Sequence, residues 1–344
     1  MPAFASPLPL QTYGLADGPL FGLPLPEIWF GLVFFMLGTF LFLDGFDFGV
    51  GAIFATRDDE EEREQLLSAI GPFWDGNEVW LVVFGGALFA AFPSVYADLF
   101  SRNYLLMFAI LGALILRGLA PEMYEQRHDE AWQRWWGRAF VAGSVLAPFF
   151  LGVFAANWLL GATTILSVAS VVVGVAVVAL TVVSGAAFLG LKTRGSLRGE
   201  TARYGTPALA AYLGLVVVAV AYLLVTRPGM RPALLAPASL GLVGLSALLG
   251  VAYVAAMRRE RYVLALAAAA GLTYGLVTLV AALLYPLVDP VTGLTLSAGI
   301  VSTLPLNLMS IASALLLPLI FVYFAVLYST FRGPVEAGES YAGD

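Results

Sequence analysis

Nine times along its 344 residues, this chain runs through about twenty or more predominantly apolar residues before a charge cluster or a Pro/Gly turn breaks the run. The runs cover roughly residues 28–54, 77–97, 103–123, 138–159, 162–190, 206–226, 234–257, 262–285 and 306–331. A run of that length fits the hydrocarbon core of a bilayer as a helix, which satisfies its own backbone polar groups. Composition agrees: 60% of residues are hydrophobic and 12% are charged, with a mean hydropathy of +0.89, whereas a soluble domain carries about a quarter charged residues. The expected fold is all-α: one integral-membrane domain over residues 1–344, a polytopic bundle of nine transmembrane helices.

The basic residues test that count and orient it. With nine spans and the N-terminus outside, 13 of the 17 Lys and Arg residues fall on the cytoplasmic side and three (Arg102, Arg227 and Arg231) outside, with Arg117 inside the third span. Removing the second span degrades the split to 11 against five. The positive-inside rule therefore favours nine spans, N-terminus out and C-terminus in. Segments 57–76 and 124–137 then face the cytoplasm. Arg63–Ile70, with its apolar stripe at Leu66, Leu67 and Ile70, reads as a short helix on the inner surface, and Trp132, Trp135 and Trp136 as interfacial anchors. The first 26 residues carry no Lys or Arg and read as a short outer lead rather than a cleaved signal.

Several function classes drop out. The chain has no cysteine, which removes disulfides, thiolate catalysis and Cys-ligated metals. Its one histidine, His128, lies in the charged loop Glu125–Glu130 and reads as a solvated surface group. No histidine inside a span is left to ligate a haem iron. Met36, Met107 and Met309 read as packing, and no metal ligands are assigned. A net charge of −6 argues against nucleic acid.

The sharpest feature is charge inside the apolar runs. Asp44 and Asp47, in Leu43-Asp44-Gly45-Phe46-Asp47-Phe48-Gly49, stand three apart and share a helix face. They lie roughly 24–29 Å into the first span, in its cytoplasmic third. Carboxylates at that depth pair with a partner, line a cavity or serve an ion path. Gly45, Gly49 and Gly51 allow a neighbouring helix close. A second cluster, Gly71-Pro72-Phe73-Trp74-Asp75-Gly76-Asn77-Glu78-Val79-Trp80, opens the second span. Asp75 and Glu78 have the spacing of a helix cap and its N3 partner, and equally of a pair collecting protons for Asp44 and Asp47. Trp74 and Trp80 are packing, gating or access candidates. Arg117 wants a carboxylate, either Glu122 or the Asp44/Asp47 pair, unless it reaches down to the interface. The stretch from Tyr285 to Met309 reads as a capped outer loop, with a re-entrant turn as the other reading.

Together these stretches, with Gly85–Tyr96, Arg117, Gly143-Ser144, Pro148, Tyr285-Pro286 and Leu306–Met309, resemble subunit II of the cytochrome bd-type quinol oxidases. The likeness covers nearly the whole chain and is weaker from 160 to 270. One departure is Pro121, where the family has an aromatic residue, which weakens the carry-over at Glu122. The resemblance implies a haem-free, multi-pass subunit of the cytoplasmic membrane, folded like its partner. In such a complex quinol is oxidised and dioxygen reduced to water, haems b and d sit in subunit I, and this chain binds no cofactor itself. It also implies subunit I as obligate partner, a small accessory membrane subunit as a further candidate, contacts with quinone and lipid, and possible oxygen access. Asp44, Asp47, Asp75, Glu78 and Arg117 then become proton-path candidates. Two other readings are a proton-coupled secondary transporter, for which no pair of matching interrupted helices stands out, and a purely structural assembly subunit.

Overall fold

In the computed structural model, which describes residues 14–162 and 164–335, helix α1 (Leu25–Phe54) is the axis of the molecule, with 21 of its 30 residues buried. Pro26 starts it at a position where a missing N–H costs nothing. Four helices pack around it: α3 (Trp74–Ala91), α6 (Glu130–Leu160), α7 (Val168–Lys192) and α12 (Tyr262–Leu284). Helix α5 (Tyr104–Glu125) closes the first group against α6, and α9 (Gly205–Thr226) and α11 (Pro237–Arg258) complete a second group with α7 and α12. Helix α14 (Thr303–Thr330) lies on the outside and meets α1 and α3 mainly through aromatic rings. The short helices α2 (Glu60–Ile70) and α8 (Gly195–Ala202) sit at the Phe54 end, while α4 (Pro93–Arg102), α10 (Arg231–Leu234) and α13 (Leu296–Gly299) sit at the other.

Helix boundaries follow local chemistry. Asp59 caps α2 by accepting from the Glu62 N–H, and Asp129 caps α6 by accepting from Trp132 N–H. Ser167 and Ser170 form a reciprocal capping box at the start of α7. Gly161 ends α6 in the left-handed region, φ 59°, which costs glycine little.

Eight of the described helices are long and apolar enough to cross a membrane. They correspond to eight of the nine expected runs. The expected second span, 77–97, is instead two helices: α3 ends at Ala91, Pro93 starts α4, and Phe92 between them is non-helical. Pro disfavours the α region for the residue before it, so the chain breaks at Phe92. At 18 residues, with Trp74-Asp75-Gly76-Asn77-Glu78 in its first turns, α3 is the shortest of the long helices. The fourth run begins eight residues earlier than expected, at Glu130, and the fifth six later, at Val168. The inner-surface helix is longer than read, starting at Glu60, and its Leu66–Ile70 end is buried. Of the N-terminal lead, residues 1–13 lie outside the described residues. The rest is pinned by Asn307, which receives the Leu20 N–H and donates to the Leu15 and Gly18 carbonyls.

The Tyr285–Met309 stretch resolves into an ordered cap. Strands β1 (Leu287–Asp289) and β2 (Leu294–Thr295) form an antiparallel ribbon leading into α13. Arg102 clasps Asp289 with two hydrogen bonds of 2.7 and 3.0 Å, Trp158 Nε1 donates to the Val288 carbonyl at 2.9 Å, and Val301 N–H donates to Ala91 O.

Candidate functional site

The site is made where the polar first turns of α3 meet the lower half of α1 and the middle of α5. Two glycine contacts let the backbones approach. A Cβ at Gly143 on α6 would stand 2.6 Å from the Arg117 amide nitrogen, and one at Gly51 on α1 would overlap the Ser144 hydroxyl. These contacts hold α5, α6 and α1 in one place, so a side chain leaving α5 at Arg117 points straight at α1.

Arg117, 1% exposed, bonds three carboxylates. Its Nη2 donates to Asp44 Oδ1 at 2.5 Å and stands 3.3 Å from Asp47 Oδ2, and its Nη1 donates to Glu78 Oε2 at 3.4 Å. Asp44 and Asp47 are fully buried, while Glu78 keeps 29% of its side chain exposed. The guanidinium also lies over the Phe48 ring (5.2 Å) and the Trp74 ring (5.3 Å), where it meets the negative faces of both π systems. Asn77 Nδ2 donates to Asp47 Oδ2 at 2.8 Å and to the Leu43 carbonyl at 3.3 Å, and its Oδ1 accepts from the Tyr328 hydroxyl at 2.7 Å. One cluster thus joins α1, α3, α5 and α14.

Three polar oxygens here, Asp44 Oδ2, Asp47 Oδ1 and Ser144 Oγ, are buried with no hydrogen-bond partner among the described residues. Two prolines add to this polarity. Pro121 stands four residues after Arg117 on α5, and Pro148 four after Ser144 on α6. Neither can donate the helical hydrogen bond to the carbonyl one turn before it. The Arg117 and Ser144 carbonyls therefore lack their usual helical donor. If all three acids are ionised, the cluster carries three negative charges against one positive. Uncompensated buried charge is costly, so the arrangement suits groups that take up and release protons.

Of the expected site residues, Asp44, Asp47, Glu78, Arg117 and Trp74 come together. Asp75 is exposed, one turn before Glu78 and outside the ion-paired cluster. The helix-cap reading of Asp75 fails because α3 begins one residue before it, with Phe73 as N-cap and no side-chain cap. Glu122 is exposed, and Arg117 turns instead to the α1 pair and Glu78. Trp80 is buried away from the charges, against Phe321 (5.7 Å) and Phe324 (5.8 Å) of α14. Sequence reasoning missed Asn77, Tyr328 and Ser144 as site members. Asn77 and Ser144 stood inside motifs already singled out, but Tyr328 is an ordinary aromatic near a helix end, with no signal of its own.

This chain has one histidine and no cysteine to offer a haem iron. His128 is exposed on the α5–α6 connection, and Met36, Met107 and Met309 belong to the apolar core around α1.

Comparison with known proteins is consistent across sequence and fold. The model of the family "Cytochrome bd terminal oxidase subunit II" matches residues 25–331. Cytochrome bd ubiquinol oxidase subunit 2 of Bacillus subtilis is 37% identical over 211 residues, covering 57% of this chain and 61% of the relative. Cytochrome bd-I ubiquinol oxidase subunit 2 of Escherichia coli K12 is 34% identical over 212 residues, covering 56% and 55%. The matches thus span a little over half the length of these curated relatives. The solved bd oxidase structure from Geobacillus thermodenitrificans contains a chain with the same fold, with a TM-score of 0.72, 18% identity and coverage of 90% of this chain and 99% of that one. With the family match running from the first residue of α1 to just past the end of α14, this chain belongs to the cytochrome bd terminal oxidase subunit II family.

Proposed function

We propose that this chain is the haem-free subunit II of a quinol-oxidising, dioxygen-reducing complex, and that its buried cluster relays protons from the cytoplasm toward redox centres held by a partner subunit. The observation that carries this reading is Arg117 bound to Asp44, Asp47 and Glu78 at 2.5–3.4 Å, with the first two fully buried and the third reaching the surface. A structural ion pair needs one acid. Three acids in contact with one guanidinium, graded from exposed to buried, make a path along which a proton can be handed inward.

In the proposed arrangement Asp75 and Glu78 collect protons at the mouth of α3, and Asp44 and Asp47 pass them on. Arg117 holds the three carboxylates together, and Asn77 orients Asp47. The unpartnered oxygens of Asp44, Asp47 and Ser144 suit bound water as an extension of the path. Trp74, stacked on Arg117, and Trp80 in the α3–α14 seam are candidate gates. In this reading α3 supplies the ninth crossing: its 18 residues reach about 27 Å at 1.5 Å per residue, close to the bilayer core of about 30 Å. In the same reading the N-terminus lies outside and the C-terminus in the cytoplasm, an orientation the loop-charge asymmetry supports, and the chain sits in the cytoplasmic membrane. Haems b and d belong to subunit I, quinol is the substrate of the complex, and a small accessory subunit, lipid and quinone are further partners. Oxygen access through this chain is a separate proposal.

The test is Asp44→Asn and Asp47→Asn in the assembled complex. A relay predicts a haem-replete complex whose oxygen consumption falls at least about a hundredfold, the lower end of the range for proton-transfer groups. Normal turnover with normal haem content would leave the cluster a purely structural role.

A further inference from the structure

At the Phe54 end, away from the Arg117 cluster, the fold gathers donors that the sequence keeps far apart. Glu60 and Glu64 stand one turn apart on α2, and the chain's single histidine, His128, lies on the α5–α6 connection. Each offers one ligand atom, and the three atoms lie within 4.8 Å of one another. Sequence reading had assigned this chain no metal ligands and His128 only a solvated role.

Both supports of the trio are held in place. The Asp59 cap fixes the first turn of α2. On the facing loop, Asp129 caps α6 and pairs with Arg127 at 2.9 Å, Arg127 lies 5.0 Å over the Trp132 ring, and Trp132 Nε1 donates to the Met123 carbonyl. The cation on α2, Arg63, is engaged elsewhere although it borders the same cavity: its Nε donates to the Arg57 carbonyl at 2.8 Å and its guanidinium sits 5.3 Å over the Phe54 ring. Glu60 also lines a cavity of about 700 Å³ with Arg63, Tyr124, Gln133 and Arg138, which leaves open space beside the trio for water ligands.

We propose that Glu60, Glu64 and His128 form a binding site for a borderline divalent transition ion of the Zn²⁺ class, clasping α2 to the α5–α6 connection. Imidazole nitrogen and carboxylate oxygen are both donors to Zn²⁺, and water takes the fourth position where the protein supplies three. Hard ions such as Mg²⁺ and Ca²⁺ prefer all-oxygen sites. At a metal–ligand distance of about 2.1 Å, tetrahedral ligands stand about 3.4 Å apart, so the trio closes by roughly an ångström through rotation of flexible glutamate side chains.

The test uses the full chain in its native complex, purified without a polyhistidine tag and stripped with chelator. Zn²⁺ is titrated against a competing indicator, and thermal unfolding is followed with and without Zn²⁺. The expected result is one site that wild type has and His128→Ala lacks, with affinity down at least about tenfold in Glu60→Gln and Glu64→Gln, since even supporting groups around a metal cost 10–100-fold. Zn²⁺ should raise the unfolding midpoint of wild type and leave that of His128→Ala unchanged, while the metal-free midpoints agree because His128 is exposed. Equal Zn²⁺ binding by wild type and all three variants, no binding by wild type, or equal displacement by Mg²⁺ overturns the proposal.

Discussion

Arg117 and Asp44 meet at 2.5 Å with neither side chain reaching solvent. Arg117 sits on α5 and Asp44 on α1; without Arg117 the Asp44 carboxylate would be an unpaired buried charge, whereas Arg117 without Asp44 keeps Asp47 and Glu78. Removing one member of a buried pair costs about 3–5 kcal/mol. Arg117→Met should therefore abolish recovery of the assembled complex. Arg117→Lys keeps the charge but loses the fork that reaches Asp44 and Glu78 at once. It should assemble with a lowered unfolding midpoint and reduced turnover, read by haem-to-protein ratio and oxygen consumption. Full activity in Arg117→Met would remove the cluster from both folding and function.

Asn77 and Tyr328 should act as one unit. Asn77→Ala takes a donor from buried Asp47, a charge-linked hydrogen bond worth about 1.5–3 kcal/mol, and Tyr328→Phe removes a neutral one worth about 1 kcal/mol. Because the Tyr328 hydroxyl bonds Asn77 itself, the double variant should lose less than the sum of the singles. A double-mutant cycle on thermal stability and turnover measures the coupling, and strict additivity would separate α14 from the site.

Gly49 and Gly185 bring α1 and α7 into backbone contact. A Cβ at Gly185 would stand 2.5 Å from the Gly49 carbonyl carbon, and one at Gly49 would overlap the Thr181 carbonyl oxygen. Gly185→Ala should push the helices apart and cost about 1–3 kcal/mol or more. Gly85→Ala, at a position open to space, is the control. Unfolding midpoints of the two variants should differ clearly, and equal midpoints would contradict the close approach.

Asp289 should make the outer ribbon pH-sensitive. Burial favours its protonated form, but the Arg102 fork, the Thr292 hydroxyl and the Val291 N–H outweigh burial and hold the carboxyl below its usual range. A depressed folded-state value contributes stability fully above the unfolded value of about 3.9, and that stability is lost as pH falls through the folded value. Hydrogen exchange over residues 286–302 should be flat from about pH 8 to about pH 5, after correction for intrinsic rates, and rise below about pH 4. Asp289→Asn should show raised exchange throughout and no acid step.

Much of this protein is legible as one-dimensional pattern. Runs near twenty apolar residues specify spanning helices because a bilayer has one thickness and a helix one rise per residue. Eight of the nine runs are single helices for that reason. The exception, 77–97, breaks at Phe92-Pro93, a local signal that hydropathy averages away. The site was half legible. Asp44, Asp47, Glu78 and Arg117 stood out because charge in an apolar run is costly. Asp75 and Glu78 looked equivalent in sequence, yet Asp75 at the mouth of α3 is exposed while Glu78, one turn deeper, reaches Arg117.

What the sequence determined by itself is which residues needed partners: a membrane-embedded charge must be compensated wherever it falls. Only the tertiary structure decided who the partners are. Arg117 could have reached Glu122 on its own helix or the α1 pair. The choice was made by Gly143 and Gly51, whose missing side chains let α5, α6 and α1 close up until the guanidinium faced Asp44. The same holds for Asn77 with Tyr328, and for Glu60 and Glu64 with His128, where helices distant in sequence end side by side. Such pairings depend on interhelical packing, which no local pattern encodes.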